Sequence, residues 1–314
     1  MNILNKINPL VKKEIKTSSR SVKLSVGLFV FELIISLIWL LSIGIIMHFQ
    51  DIPTLSSQQD FLFFFPIFAI AEASIVALIM PILTAGSISG EKERQTFDLM
   101  LTTPLSPFKI ALGKLYSAFV KIMLYIIGSL PILAIPFITG SLPWYLLGLF
   151  FLCLVVLSCF SGSIGLFCSS ISRNTISALI KTFIFYLLFF GGTFIPLIVT
   201  SFDRHKPSII PILFFLINPG VIFEEDLVLS LSSVSIFGSH QNEMAGILDS
   251  YFYDYRTHTI YYEHCFLFKG PTFAIVSGIS LLLLSFVFLK LTAFMIDPKN
   301  SPNRRPKKNK KNTL

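Results

Sequence analysis

Six apolar runs, each long enough to cross a bilayer, decide most of what this chain can become. They fall at about Leu24–Met47, Phe61–Ile88, Leu115–Ile138, Trp144–Cys168, Thr175–Val199 and Pro271–Phe294. In a helix, about 20 apolar residues span a hydrocarbon core roughly 30 Å thick. Lipid offers no partner to backbone N–H and C=O groups, so a spanning segment must satisfy them internally, as a helix does. No run alternates with the two-residue period of a barrel strand, so a β-barrel is not expected. The expected fold is an all-α polytopic membrane protein with six transmembrane helices. Composition agrees: 54% of the 314 residues are hydrophobic and only 13% are charged, against about 25% charged in a soluble domain. Residues 1–296 read as one transmembrane domain, and 297–314 as a basic, disordered tail. The first 24 residues are basic and lack the short apolar region of a cleavable signal, so the first run is expected to stay as an anchor.

The charges outside the runs set an orientation. Six spans put both termini on one side. That side collects Lys6, Lys12, Lys13, Lys16, Arg20 and Lys23, then Lys92, Arg94, Lys109 and Lys114, then Arg173, then seven basic residues of the tail. The two short loops on the other side hold no Lys or Arg, and the long 200–270 segment holds only Arg204, Lys206, Arg256 and Lys269. The positive-inside rule makes the basic side cytoplasmic and the 200–270 segment external. Asn8–Lys23 reads as an N-terminal interfacial helix: Asn8 caps it, Pro9 suits its first turn, and lysines face away from a stripe of Val11, Ile15, Ser18 and Val22. Within the external segment, Ile209–Ile217 is apolar but too short to cross, as a re-entrant or interfacial piece would be.

Glu32, Glu72, Lys121 and Lys181 lie inside the runs. Each costs about 2.5–3.5 kcal/mol on insertion scales and is expected to face protein or water. Counted from the cytoplasmic side, Glu32, Lys121 and Lys181 sit at similar depth. Glu32 is therefore expected to pair with one of the lysines, unless both snorkel to the headgroups. Glu72 is deeper, has no evident partner, and is the candidate pathway residue.

Catalytic chemistry finds little foothold. Cys153, Cys159 and Cys168 share one apolar run and read as packing residues. His258, Glu263, His264 and Cys265 lack the spacing of a metal motif. Gly86–Lys92 misses both the spacing and the final hydroxyl of a Walker A loop, so nucleotide binding by this chain is not expected. Nor is a nucleic-acid partner. The basic tail fixes topology or touches anionic lipid.

The stretch Ser89–Lys114 is polar and charged between two apolar runs. Ser89 is expected to cap a helix with Glu91 and Glu93 in its first turns, where the helix dipole favours carboxylates. Phe97, Met100 and Leu101 share one face of that helix, and Thr102-Thr103-Pro104 ends it. Ser106-Pro107 then opens a second helix that enters the third span. The result is a charged helical hairpin continuous with two spans, a lever through which a cytoplasmic partner could move them.

These residues resemble the permease subunit of type-2 ATP-binding-cassette (ABC) transporters. That family carries E-K-E-R, then an apolar helix, then T-T-P-[LV]-S, a basic residue and G-K. Here the matching residues are Glu91-Lys92-Glu93-Arg94, Thr102-Thr103-Pro104-Leu105-Ser106, Lys109 and Gly113-Lys114. Gln95 stands where the family usually has glycine. Asn8-Pro9-Leu10-Val11-Lys12-Lys13-Glu14 and Asn218-Pro219 fit as well. The resemblance implies an ATP-driven exporter. The hairpin would dock on a separate ATP-binding subunit through Glu91, Lys92, Glu93 and Arg94, with Phe97, Met100 and Leu101 as its packing face. It also implies a second permease, identical or not, a place in the plasma membrane, and ATP and magnesium in the partner alone. The alternative class is a membrane sensor or enzyme component with no ATPase partner, and a passive channel is a third. An adjacent reading frame with a Walker A motif would favour the first.

Overall fold

The computed structural model describes residues 22–49, 64–102, 105–138, 142–201, 210–223, 253–254, 259–260 and 271–297. The interfacial helix expected before Val22, the 50–63 loop, most of the 200–270 segment with His258, Glu263, His264 and Cys265, and the tail lie outside the described residues. The helices in chain order are α1 (Val22–Phe49), α2 (Phe64–Glu93), α3 (Phe97–Leu101), α4 (Pro107–Leu133), α5 (Ile135–Ile138), α6 (Trp144–Ile171), α7 (Thr175–Phe190), α8 (Ile195–Ser201), α9 (Ile210–Phe215) and α10 (Pro271–Ile296). The six longest, α1, α2, α4, α6, α7 and α10, supply helices long and apolar enough to cross a membrane, α7 counted with the turn that follows it.

The seam between α2 and α6 is the most extensive in the molecule. It exists because α6 presents Ser161, Gly162, Ser163, Gly165 and Ser169, all small, all buried where they meet neighbours. Without a hydrophobic drive between helices in lipid, close backbone approach and local hydrogen bonds hold them together. At Gly165 a Cβ atom would lie 2.0 Å from Thr84 Oγ1 and 3.2 Å from the Pro81 carbonyl oxygen, so only glycine permits this crossing. Farther along, Ser169 Oγ accepts N–H groups from Ile88 (3.0 Å) and Ser89 (2.8 Å). At the opposite end of the seam, Phe65 meets Phe137 and Phe150 edge to face. Helices α10 and α4 close the core, while α1 and α7 lie on its flanks. The outer faces of those two, with Phe29, Leu40, Ile184 and Leu187, are apolar and exposed, as a lipid-facing surface must be.

Two expected spans, the third and the fifth, change shape near their C-terminal ends. Helix α4 begins at Pro107, eight residues before Leu115, with Ser106 extended ahead of it. It runs through Pro131 and stops at Leu133, leaving α5 as a separate turn around Pro136. The fifth span stops at Phe190, before the Gly191-Gly192 pair. A 3₁₀ turn, Gly192–Phe194, follows and leads to α8. Asn218 secures the break by donating Nδ2–H to the Phe190 carbonyl (3.2 Å) and Thr193 Oγ1 (2.7 Å), which satisfies a helix-end acceptor left open. The apolar 209–217 piece forms α9, and Ile222 and Phe223 just beyond it are buried, Phe223 against Phe150. Tyr253–Asp254 and Thr259–Ile260 form a two-stranded antiparallel pair.

Candidate coupling site at the end of α2

The hairpin forms, but with different ends from those expected. Ser89 does not cap a helix. It lies inside α2, fully buried, with its hydroxyl donated to the Ala85 carbonyl at 2.7 Å. The apolar run simply continues as helix until Glu93. There Thr96 N–H bonds back to the Glu91 carbonyl (2.9 Å) and Gln95 N–H to the Lys92 carbonyl (3.2 Å). That pair of bonds is a Schellman ending, which needs a left-handed residue at its fifth position. Gln95 supplies it with φ 58°. The departure from the family's usual glycine thus falls at the one backbone position where glycine is favoured.

Each of the next three side chains ties the end of α2 to a different helix. The Glu91 carboxylate accepts a charge-assisted hydrogen bond from Lys114 on α4, whose ammonium is buried. The Lys92 ammonium donates to the carbonyls of Ser170 and, at 3.3 Å, Ser172, where α6 ends. A cation there meets the negative end of the helix and satisfies carbonyls left open by it. Lys92 also lies 5.3 Å from the Phe97 ring centre, a cation–π contact that draws α3 onto the same spot. The Glu93 carboxylate accepts the Thr175 N–H (3.3 Å) and hydroxyl (2.9 Å) at the first residue of α7. Asn174, the residue before that helix, makes no side-chain cap, so Glu93 caps α7 from 82 residues away in sequence. Lys181, one of the membrane lysines, reaches Ser172 Oγ at 3.2 Å and completes the cluster.

The structure therefore brings together Glu91, Lys92 and Glu93 and engages each with its own chain, Glu93 while itself exposed. Arg94 is exposed, and so are Gln95, Asp98 and Leu99, the last at 69%. Phe97 and Leu101 pack against the core as expected for one face of α3; the side chain of Met100 lies outside what is described. The partners Lys114, Ser170, Ser172 and Thr175 did not emerge as site residues from the sequence. The 169–174 link read as a short connection carrying Arg173. Its signal was the pair of hydroxyls around a helix end that has no cap of its own.

Glu32, Glu72, Lys121 and Lys181 do not sort as expected. Glu32 pairs with neither Lys121 nor Lys181; among the described residues no lysine lies within ion-pair reach of it. Its Oε1 sits where a Cβ of Gly128 would be, and that atom has no hydrogen-bond partner. Lys121 does not lie at the level of Glu32. Gly128, the level at which Glu32 meets α4, is two turns beyond Lys121, about 10 Å along the helix. Glu72, expected to lack a partner, accepts a hydrogen bond from Ser129 on its Oε1 and is 1% exposed.

Comparison with curated proteins finds no match. Residues 5–200 match the family model described as ABC-2 type transporter, a stretch that includes the α2 ending, α3, α4 and the α6–α7 link just described. With most of its length covered by that match, and with six helices fit to span a bilayer, the chain belongs to the ABC-2 type transporter family and is a multi-pass membrane component of a transporter.

Proposed function

We propose that the chain is the transmembrane subunit of an ATP-driven exporter in the cell membrane, coupled through residues 89–114 to a separate ATP-binding-cassette subunit. Both termini and the hairpin face the cytoplasm, as the basic flanks require. A second permease, identical or related, pairs with it in the bilayer. ATP and magnesium belong to the partner subunit; this chain supplies no hydrolytic residue.

The observation that carries this reading is the junction of Glu91, Lys92 and Glu93 with α4, α6 and α7. A push on α3 cannot be absorbed by a loose loop, because the end of α2 is fixed to three spans at once. The docking surface is then the outward set Arg94, Gln95, Asp98 and Leu99, and Glu91, Lys92 and Glu93 act behind it as positioning residues that pass the movement on. Copurification of the full chain with its ATP-binding subunit tests the division. Arg94→Glu combined with Leu99→Asp is expected to release the partner. Charge reversal at Glu91 and Glu93 is expected to keep the partner bound and to abolish transport-linked ATP hydrolysis. Full ATP-driven transport by the first variant would end the proposal.

A further inference from the structure

Glu72 and Glu32 reach α4 at consecutive residues. Glu72 bonds Ser129, and Glu32 Oε1 lies 2.2 Å from where a Cβ of Gly128 would be. Both keep one buried carboxyl oxygen without a hydrogen-bond partner, Oε2 of Glu72 and Oε1 of Glu32. Among the described residues no cation reaches them; Lys290 on α10 lies over Phe108 and Phe286. Lys121 forms no ion pair with either, Lys181 is engaged with Ser172, Tyr186 meets Ser161, and Cys153 meets the Ile222 carbonyl. A bare carboxylate without a cation is untenable at this burial.

The hydroxyl of Ser129 is compatible with a neutral Glu72. Its oxygen lies within hydrogen-bond distance of both Glu72 Oε1 and the Ile126 carbonyl, the latter at 2.9 Å. A serine has one hydrogen to give. The Ile126 carbonyl lies within α4 and has its helical N–H partner whichever way the serine turns. If Glu72 carries a proton on Oε1, it can donate to Ser129, and Ser129 can turn its hydrogen to Ile126, so the neutral acid keeps its one partner. The geometry points to a proton as the missing cation: we propose that Glu72, with Glu32 beside it as the neighbouring acceptor, is a proton-binding site of the membrane domain. Glu32 is the less enclosed of the two.

Infrared difference spectroscopy on the full chain in lipid nanodiscs, with no nucleotide and no partner, tests this independently of the coupling reading. A protonated carboxyl band that shifts in heavy water is expected near neutral pH. Glu72→Gln should remove it. Ser129→Ala should keep the band and shift its frequency, which retains the test if the first variant folds poorly. Glu32→Gln should move the pH at which the band is lost. Absence of the band in the native chain, or indifference of the band to both Glu72→Gln and Ser129→Ala, would overturn the proposal. So would its replacement by carboxylate bands on adding sodium or potassium at fixed pH, which would make the site a metal-cation site.

Discussion

Glu91 and Glu93, in the last turn of α2, each meet a group able to neutralise or cap them; Glu72, about five turns earlier in the same helix, meets one neutral hydroxyl. Glu91 has an ammonium and Glu93 has the N–H and hydroxyl that open α7. The difference is one of available partners. At the end of the bundle, helix termini expose N–H and C=O groups that want charge. In the middle of the bundle those groups are already paired within each helix, and no lysine is in reach. Acids at the end hold helices together as ions, whereas an acid in the middle is held only as a neutral group. One helix thus carries two kinds of carboxyl chemistry.

Variants can break or sharpen that contrast. The largest effect is expected from Lys114→Glu, which sets two carboxylates against each other at a buried position. Breaking a fully buried pair costs about 3–5 kcal/mol, but Glu91 is 27% exposed, so about 2 kcal/mol is expected, read as a lower thermal midpoint in detergent. Restoring the pair by adding Glu91→Lys should recover most of it. Glu93→Ala removes the cap of α7 and should cost about 1 kcal/mol, with faster amide exchange confined to the start of that helix. Gln95→Gly relieves the left-handed backbone of a side-chain residue and should stabilise by about 0.5 kcal/mol. Smallest of all is Glu72→Gln. If Glu72 is already neutral, an amide in its place should shift stability by less than about 0.5 kcal/mol, while Glu91→Gln, which discharges an ion pair, should cost measurably more.

Much of the framework was legible beforehand because bilayer thickness leaves few options for apolar runs of this length. The six spans, the hairpin between the second and third, the start of α4 at Pro107 and the short piece at 209–217 all follow from local pattern. What was not legible depends on long-range placement. Lys92 finds its carbonyls at Ser170 and Ser172, and Glu93 finds Thr175, across more than 75 residues. No local rule links them, so the charges at the hairpin read as outward. The same gap explains Glu32. The level of α4 that it meets, Gly128, is two turns beyond Lys121, and the hydropathy of the run does not fix that level. Ser89 was misread for a local reason. A serine before acidic residues resembles a helix start, but it can equally lie inside a helix with its hydroxyl turned back on the preceding turn.

The central claim is that the exposed side of the α2–α3 turn meets the ATP-binding subunit while its inner side grips the spans. A photo-crosslinking residue placed at Leu99, compared with one at Tyr145 at the start of α6, tests it directly, since both positions are exposed and they belong to opposite ends of the bundle. The account predicts a crosslink to the ATP-binding subunit from Leu99 and none from Tyr145. A crosslink from Tyr145, or its absence from Leu99 in a complex that still hydrolyses ATP in step with transport, would contradict it.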